Sequence, residues 1–455
     1  MQLSSPPVSR SETRLSSPPV SRSETRLLWI LLALCLMTSK SPLAAQSTIL
    51  HTASAIHSDV QLLNLTSATG WSFQLEGRET PVDAARIVRW GSWPGVLNEQ
   101  AVWLNDGSWL CGDVRLTGQN VTVASDWLEV PPLAWRDVRG LVLTPPTTRS
   151  RWLELQSQMQ AAEGELDLLW LSGGKKLSGI IREPSSQAET SPAVLELDTS
   201  GQRLQLALDE VEAIVFSPTL QGAILPHVNT LQLGLVDGSL LWTTQLATEP
   251  ARVKIKLAGA IQLSSLEGAR EFCKALCYLA HQFAAPSGVA AAEANGDTTR
   301  VQFLSALPVA SYRHVSDSSL RWELGVDRDV YGRALHTQAG IFGRGLATHS
   351  TSQVAFRWDG SPGRLLAEVR LASPAPQATA ELGSVTCQIL LARDDKLQSV
   401  EQFSLTRSAP ASPGDVRLLN VDLAHAKLVV LVTDKADFGQ YGDHLLWLDA
   451  RIAQP

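Results

Sequence analysis

The chain has 455 residues, 44% of them hydrophobic and 18% charged, and a formal net charge of −7. It is too long for one ordinary core and apolar enough to fold through most of its length, so two or more domains are expected. Met1 to Ala45 carries five basic and two acidic residues, so the remainder is more acidic still. A surface of that sign repels a phosphate backbone and excludes nucleic acid as a partner.

The stretch LSSPPVSRSETR occurs twice, at Leu3 to Arg14 and at Leu15 to Arg26, and such a Pro/Ser/Arg segment buries no core. Leu27 to Met37 (LLWILLALCLM) follows arginines and precedes SPLAAQS. Eleven apolar residues at about 1.5 Å each span about half of a bilayer core, so the run reads as an export signal and not as a stable transmembrane helix. Cleavage is expected after Ala44 or Ala45. Residues 1–45 are thus set apart, and the mature chain is expected in the periplasm, the cell envelope or outside the cell. Outside the signal only Cys111, Cys273, Cys277 and Cys387 remain, too sparse for a disulfide framework.

Residues 46–146 are written in short strands. Ala101 to Leu116 alternates apolar and polar residues around Asp106-Gly107, a strong hairpin signal. The same order, strand, tight glycine turn, strand, loop, strand, short hairpin, strand, returns within 168–283 at Leu168 and at Leu231, with a fainter copy in GWSFQLEGRETPVDAARIVRWGS before them. A unit of about fifty residues used four times is expected. Through its DGS-x-L-x-G turn and closing V-x-x-L/I-V strand it resembles SH3-like or Sm-like small β-barrels. Residues 147–167 read as a helical connector. Trp103, Trp109, Trp127, Trp135, Trp170 and Trp242 are expected in the core of the repeats rather than on a binding face. A short helix is expected over Glu271 to Phe283. It would put Cys273, Cys277 and His281 on one side, as buried small residues in preference to a metal site.

Residues 284–300, rich in Ala and Gly, read as a linker. From 301 to 455 long alternating strands return, among them one in which Val385, Cys387, Ile389 and Leu391 share a face. This pattern implies two packed antiparallel sheets, a β-sandwich of jelly-roll type, and an all-β fold class for the whole chain.

Three blocks in order, G-x-G-x-A-x-H-S at Gly343 to Ser350, G-S-V at Gly383 to Val385, and L-V-x-x-V-x-D…D-H-x-x-W-x-D-A ending at Ala450, resemble the NPCBM domain, the novel putative carbohydrate-binding module found beside glycoside hydrolases of family 98. The chain departs from the family pattern at Arg364 and Leu365, where an aromatic residue is usual. The resemblance implies a sandwich that binds glycans without turning them over.

Sugar recognition calls for aromatic faces and planar polar groups, which His349, Trp358, Tyr441, Asp443, His444 and Trp447 can supply. Asp434, Asp437 and Asp443 form a loop of three carboxylates with the oxygens a calcium ion takes; no other cofactor is implied. For Asp443-His444 the favoured role is organising the turn into the final strand through bonds to backbone amides, with ligand contact second. Motifs of serine hydrolases, zinc proteases, P-loop NTPases and dinucleotide-binding enzymes are absent, and neither half has the length of a usual glycosidase barrel. The chain therefore reads as an exported, non-enzymatic glycan-binding protein whose repeats have room for a protein partner. The alternative is an envelope structural or protein-interaction module whose sandwich has lost sugar binding.

Overall fold

A computed structural model describes residues 48–455 apart from 66–69, 118–119, 183–193, 222–229, 283–298, 316–320, 374–382, 395, 408–414 and 437–441. Residues 47–455 form one compact unit. The described residues are predominantly strand, as the alternation predicts.

Four repeats precede the sandwich. In the second, third and fourth, the first strand is Ala101–Leu104, Asp167–Leu171 or Thr230–Leu235, and the last is Val138–Val142, Val211–Val215 or Leu276–Gln282. A short helical turn leads into each last strand. The faint copy is a whole repeat that begins earlier, with Leu50–Thr52 pairing its own closing strand Ile87–Gly91. The expected barrels do not close separately. Each closing strand spends one edge on the first strand of its own repeat and the other on a neighbour's closing strand. Val138–Val142 pairs with Val211–Val215, and Ile87–Gly91 pairs with Leu276–Gln282. The strands therefore join in one 17-stranded sheet.

The second and fourth repeats meet through their DGS turns. Asp106 Oδ1 accepts from the Ser108 amide and Asp237 Oδ1 from the Ser239 amide, the local bond that makes Asp a turn former. Each serine hydroxyl then accepts from the other repeat: Cys111 N–H donates to Ser239 Oγ at 2.9 Å and Trp242 N–H to Ser108 Oγ at 3.0 Å. The exchange is reciprocal, position for position.

The connector is a helix, Arg149–Gln160, started by Thr148, whose side chain accepts from Arg151 N–H. It buries Trp152, Leu153, Leu155 and Met159 in a core shared with Trp103, Trp109, Trp170, Val142, Ala213 and Val215. There Trp103 stacks on Trp109 at 5.3 Å and Trp152 meets Trp109 edge-on at 4.8 Å. Trp103, Trp109 and Trp170 are thus core residues, as expected, while Trp127 and Trp135 are partly buried against the main core.

The helix expected over Glu271 to Phe283 stops at Ala275, and Leu276–Gln282 is a strand. A slot open on both sides captures it: Gly234 and Gly91 both pair with Tyr278, and a Cβ at Gly234 would sit 2.8 Å from the Tyr278 side chain. Cys277 consequently lies on the strand, its thiol donating to the Gly234 carbonyl, and not one helical turn from Cys273.

The sandwich has a six-stranded sheet, with Gly325–Val326, Gly345–His349, His444–Gln454, Arg364–Leu371 and Val416–Asp422 in that order and Arg300–Phe303 beside the final strand. The facing five-stranded sheet runs Val309–His314, Ser352–Arg357, Leu428–Lys435, Ser384–Arg393, Lys396–Thr406. Val385, Cys387, Ile389 and Leu391 all face the core between them. In His444–Gln454 the expected alternation breaks at Asp449, whose φ is +47°. The extra residue there shifts the register against Arg364–Leu371. Ala450 therefore joins Leu445 and Trp447 in the core rather than Leu446 and Leu448 on the other face, a bulge re-aiming its neighbours.

Asp449 and Arg451 now point, with Glu368, at the first repeat. Arg89 bonds Asp449 and Glu368, His51 Nε2 lies 2.9 Å from Glu368 Oε2, and Arg451 donates to His51 Nδ1 at 3.2 Å and to the Thr52 and Ala55 carbonyls. All five side chains are buried. The hairpin Leu335–His336/Ile341–Phe342 extends the junction, with Ile341 bridged to Trp93 and packed in the tryptophan core.

Ser239→Ala should destabilise the chain by about 1–3 kcal/mol, because it strands the buried Cys111 amide, and Ser108→Ala by less, because the Trp242 amide it strands is only part-buried. Urea denaturation checks this, and a loss under about 0.5 kcal/mol for both would show that the exchange is not a stabilising feature.

Candidate functional site: an aromatic and imidazole cleft

Strands Gly345–His349 and His444–Gln454 pair in a register that sets His349 directly opposite His444. Their rings lie 4.7 Å apart. Trp322 stacks on His349 at 5.1 Å and meets His444 edge-on at 5.3 Å, and Tyr331 contacts both Trp322 and His444 at 5.2 and 5.1 Å. His314 closes the far side against His349 at 5.5 Å. Tyr331, 45% exposed, is the one large ring of this group that faces solvent broadly. The Arg333 guanidinium lies 4.8 Å from its centroid.

Beside these rings is a narrow cleft, too tight as it stands to admit a water molecule, walled by Val330, Ala347, Ala372 and Leu446 on its apolar side and by Asp329, Tyr331, Arg333, Ser373 and His444 on its polar side. Asp329 builds the turn that presents Tyr331. Its Oδ1 accepts from the amides of Tyr331 and Arg333, and its Oδ2 accepts from the Arg333 guanidinium at 2.9 Å. That carboxylate is fully occupied.

Burial pushes His444 down to about 3, with help from the neighbouring His349, Arg407 and Arg333. Burial also lowers His349, against a bond to the Ser350 carbonyl that raises it. Both imidazoles are therefore neutral near pH 7 and act as neutral hydrogen-bond groups, not as cations. His444 Nε2 pairs with the Tyr331 hydroxyl at 2.9 Å, and among the described residues its Nδ1 has no partner.

The sequence-derived residues fall into separate places. His349 and His444 come together in the cluster. Asp443 is adjacent but ties distant segments together rather than its own turn: its Oδ2 accepts from the Ser350 hydroxyl at 2.8 Å and its Oδ1 from the Ser384 amide at 3.0 Å. Trp447 lies wholly inside the sandwich, donating to Thr348 Oγ1 at 3.2 Å, and Trp358 packs in the same core with its indole bonded to the Ser361 carbonyl. These two rings offer no face to a sugar, because the sandwich core takes both. Asp434 is exposed and accepts from Thr351, whereas Asp437 and Tyr441 lie outside the described residues. Among the described residues, no three His, Cys, Asp or Glu side chains are gathered as a metal site. Trp322, Tyr331, Arg333 and Asp329 were not singled out from sequence, although the D-x-Y-x-R turn, with Asp two residues before a tyrosine, was a readable signal.

Residues 300–453 match the family model of the NPCBM/NEW2 domain. No curated protein matches the chain. Among solved structures, it is similar to the CBM51-2 and INT domains of ZmpB from Clostridium perfringens, at 24% identity over 34% of this chain and 32% of that one, with a TM-score of 0.27. It spans about a third of that structure's length. A CBM51 from Clostridium perfringens GH95 in complex with methyl-galactose aligns at 18% identity over 33% of this chain and 99% of that one, TM-score 0.27. The tandem CBM51 modules of Sp3GH98 from Streptococcus pneumoniae align at 14% identity over 66% and 91%, TM-score 0.27.

Because the folded chain holds His444 far below the ordinary histidine value of 6.5, the unfolded chain binds a proton that the folded one does not. Stability should fall as pH drops from about 6.5 towards 3. Urea midpoints for the wild type and His444→Gln across that window check this, with the variant expected to lose part of the slope. A variant whose slope matches the wild type would place the acid sensitivity elsewhere.

Proposed function

We propose that this chain is an exported, non-catalytic carbohydrate-binding protein that holds a sugar against the exposed Tyr331 face, over the mouth of the His444 cleft of its NPCBM/NEW2 domain. The observation that carries the reading is the juxtaposition of a solvent-facing Tyr331 ring, partly exposed Trp322 and a neutral His444 that holds the Tyr331 hydroxyl through Nε2. An aromatic face covers the C–H side of a pyranose, and a fixed neutral imidazole reads one hydroxyl without the cost of desolvating a charge. The domain match at residues 300–453 points to the same class of ligand.

The non-catalytic part of the reading rests on the carboxylates. A glycosidase needs two carboxyl groups free to donate a proton or attack the sugar. Asp329 is committed to Arg333 and two amides, and Asp443 to Ser350 and Ser384. Export rests on the apolar run at Leu27 to Met37, and no helix among the described residues is long and apolar enough to cross a membrane.

Titration of the full chain against a panel of oligosaccharides tests the reading. Saturable binding is expected, and Tyr331→Ala should weaken it by about 1.5 kcal/mol or more, roughly tenfold in Kd, with the fold unchanged. Trp447→Ala should instead lose about 3–5 kcal/mol of stability. A folded chain that binds no glycan would overturn the proposal and favour a protein-interaction role for the sandwich.

A further inference from the structure

The junction between the first repeat and the sandwich is built around one imidazole, His51, that faces a guanidinium at each ring nitrogen and a carboxylate at Nε2. Arg451 Nη1 can only donate, so His51 Nδ1, 3.2 Å away, accepts from it. Nε2 then carries the proton and donates to Glu368 Oε2 at 2.9 Å. Arg89 donates to the same carboxylate, and its Nη2, which likewise can only donate, lies 2.9 Å from Nε2, so that edge of the ring is shared between a carboxylate and a second guanidinium. Four strands supply the groups that face this ring. Besides His51 itself, Ile87–Gly91 gives Arg89, Arg364–Leu371 gives Glu368 with Arg370 behind it, and His444–Gln454 gives Asp449 and Arg451.

A second proton on His51 has no place in this arrangement. It must go on Nδ1, where it turns an acceptor into a donor aimed at a guanidinium, and it sets a third cation between Arg89 and Arg451. Arg451 already rests on carbonyls, those of Asp449, Thr52 and Ala55, and its Nε has no partner among the described residues. The only apolar patch gathered across this part of the junction among the described residues is small: Ala53 and Val88 against Val301 and Phe303.

We propose that the His51–Arg89–Glu368–Asp449–Arg451 cluster is an acid-released clasp, in which protonation of His51 opens the seam between the first repeat and the sandwich while both remain folded. Two further features agree. Burial and the adjacent Arg89 hold His51 down to about 4 against an ordinary 6.5. Burial works to raise Glu368, yet Arg89, Arg370 and His51 keep it well below its ordinary value, so the imidazole takes its proton before the carboxylate does. The closed junction therefore binds fewer protons than the open one, and it loses ground as pH falls from about 6.5 to about 4. A gap of about 2.5 pH units corresponds to a rise of up to roughly 300-fold in the open fraction.

Hydrogen–deuterium exchange of the full chain, followed by mass spectrometry from pH 7 to pH 4 and corrected for intrinsic rates, tests this. Peptides covering Leu50–Thr52, Ile87–Gly91 and Asp449–Ile452 should lose protection on acidification, while Ser384–Arg393 in the sandwich core and Val211–Val215 in the third repeat keep theirs. His51→Gln retains an acceptor and a donor but has no proton to gain, so its seam should stay protected at pH 4. Arg451→Gln, which removes the cation facing Nδ1, should likewise reduce the acid dependence, and it serves should His51→Gln fail to fold. Loss of protection everywhere at one pH, or seam opening in the folded variants with the wild-type pH dependence, would overturn the proposal.

Discussion

The architecture depends on five buried polar side chains, Arg89, Asp449, Glu368, Arg451 and His51, that come from opposite ends of the chain. Removing ions from water costs several kcal/mol each, and only complete pairing recovers it. Neither half can satisfy the cluster alone. The sandwich without the first repeat exposes Glu368, Asp449 and Arg451, and the repeat without the sandwich leaves Arg89 without either carboxylate. Breaking such a set by removing one partner typically costs about 3–5 kcal/mol. The linker read at 284–300 lies, but for Thr299 and Arg300, outside the described residues. The seam has specific chemistry that holds the bodies in one arrangement.

The repeats explain why that chemistry sits where it does. Counting back from the turn glycines, Trp103 in the second repeat corresponds to Gly234 in the fourth. The pairings Trp103 to Gly140 to Val215 and Gly234 to Tyr278 to Gly91 then superpose the two closing-strand pairs. By that register Arg89 occupies the position of Ala213. The outer face at Ala213 is covered by the connector helix through Trp152 and Met159. At the equivalent face the covering body is the sandwich, and the residue that meets it is an arginine. One structural problem, an apolar sheet pair with one side open, is solved once by a helix and once by a whole domain.

Much of this was legible in sequence. The Asp-Gly turns, the fourfold unit, the connector helix and the strict alternation of Val385 to Leu391 all follow from local rules that the structure obeys. The failures share a cause: tertiary partners that local pattern cannot show. Leu276–Gln282 is written in good helix formers, yet a slot between two strands turns it into a strand. One bulge at Asp449 reverses the faces of everything after it, which no period-two reading anticipates. Trp358 and Trp447 have the side chains a sugar site uses, and the core claimed both. Trp322 and Tyr331 gain meaning only when their loops fold against His349 and His444, because ring clustering across more than a hundred residues leaves no local trace.

The final strand carries His444 at one end and Asp449 and Arg451 a few residues on, about 17 Å along an extended backbone. Cleft and seam are thus fixed to a single rigid rod. A molecule seated beside His444 acquires a set angle to the repeat array, since no hinge intervenes between the two along that strand. On a polymer that offers the same group many times over, successive copies of the chain would be laid down with their repeats pointing one way.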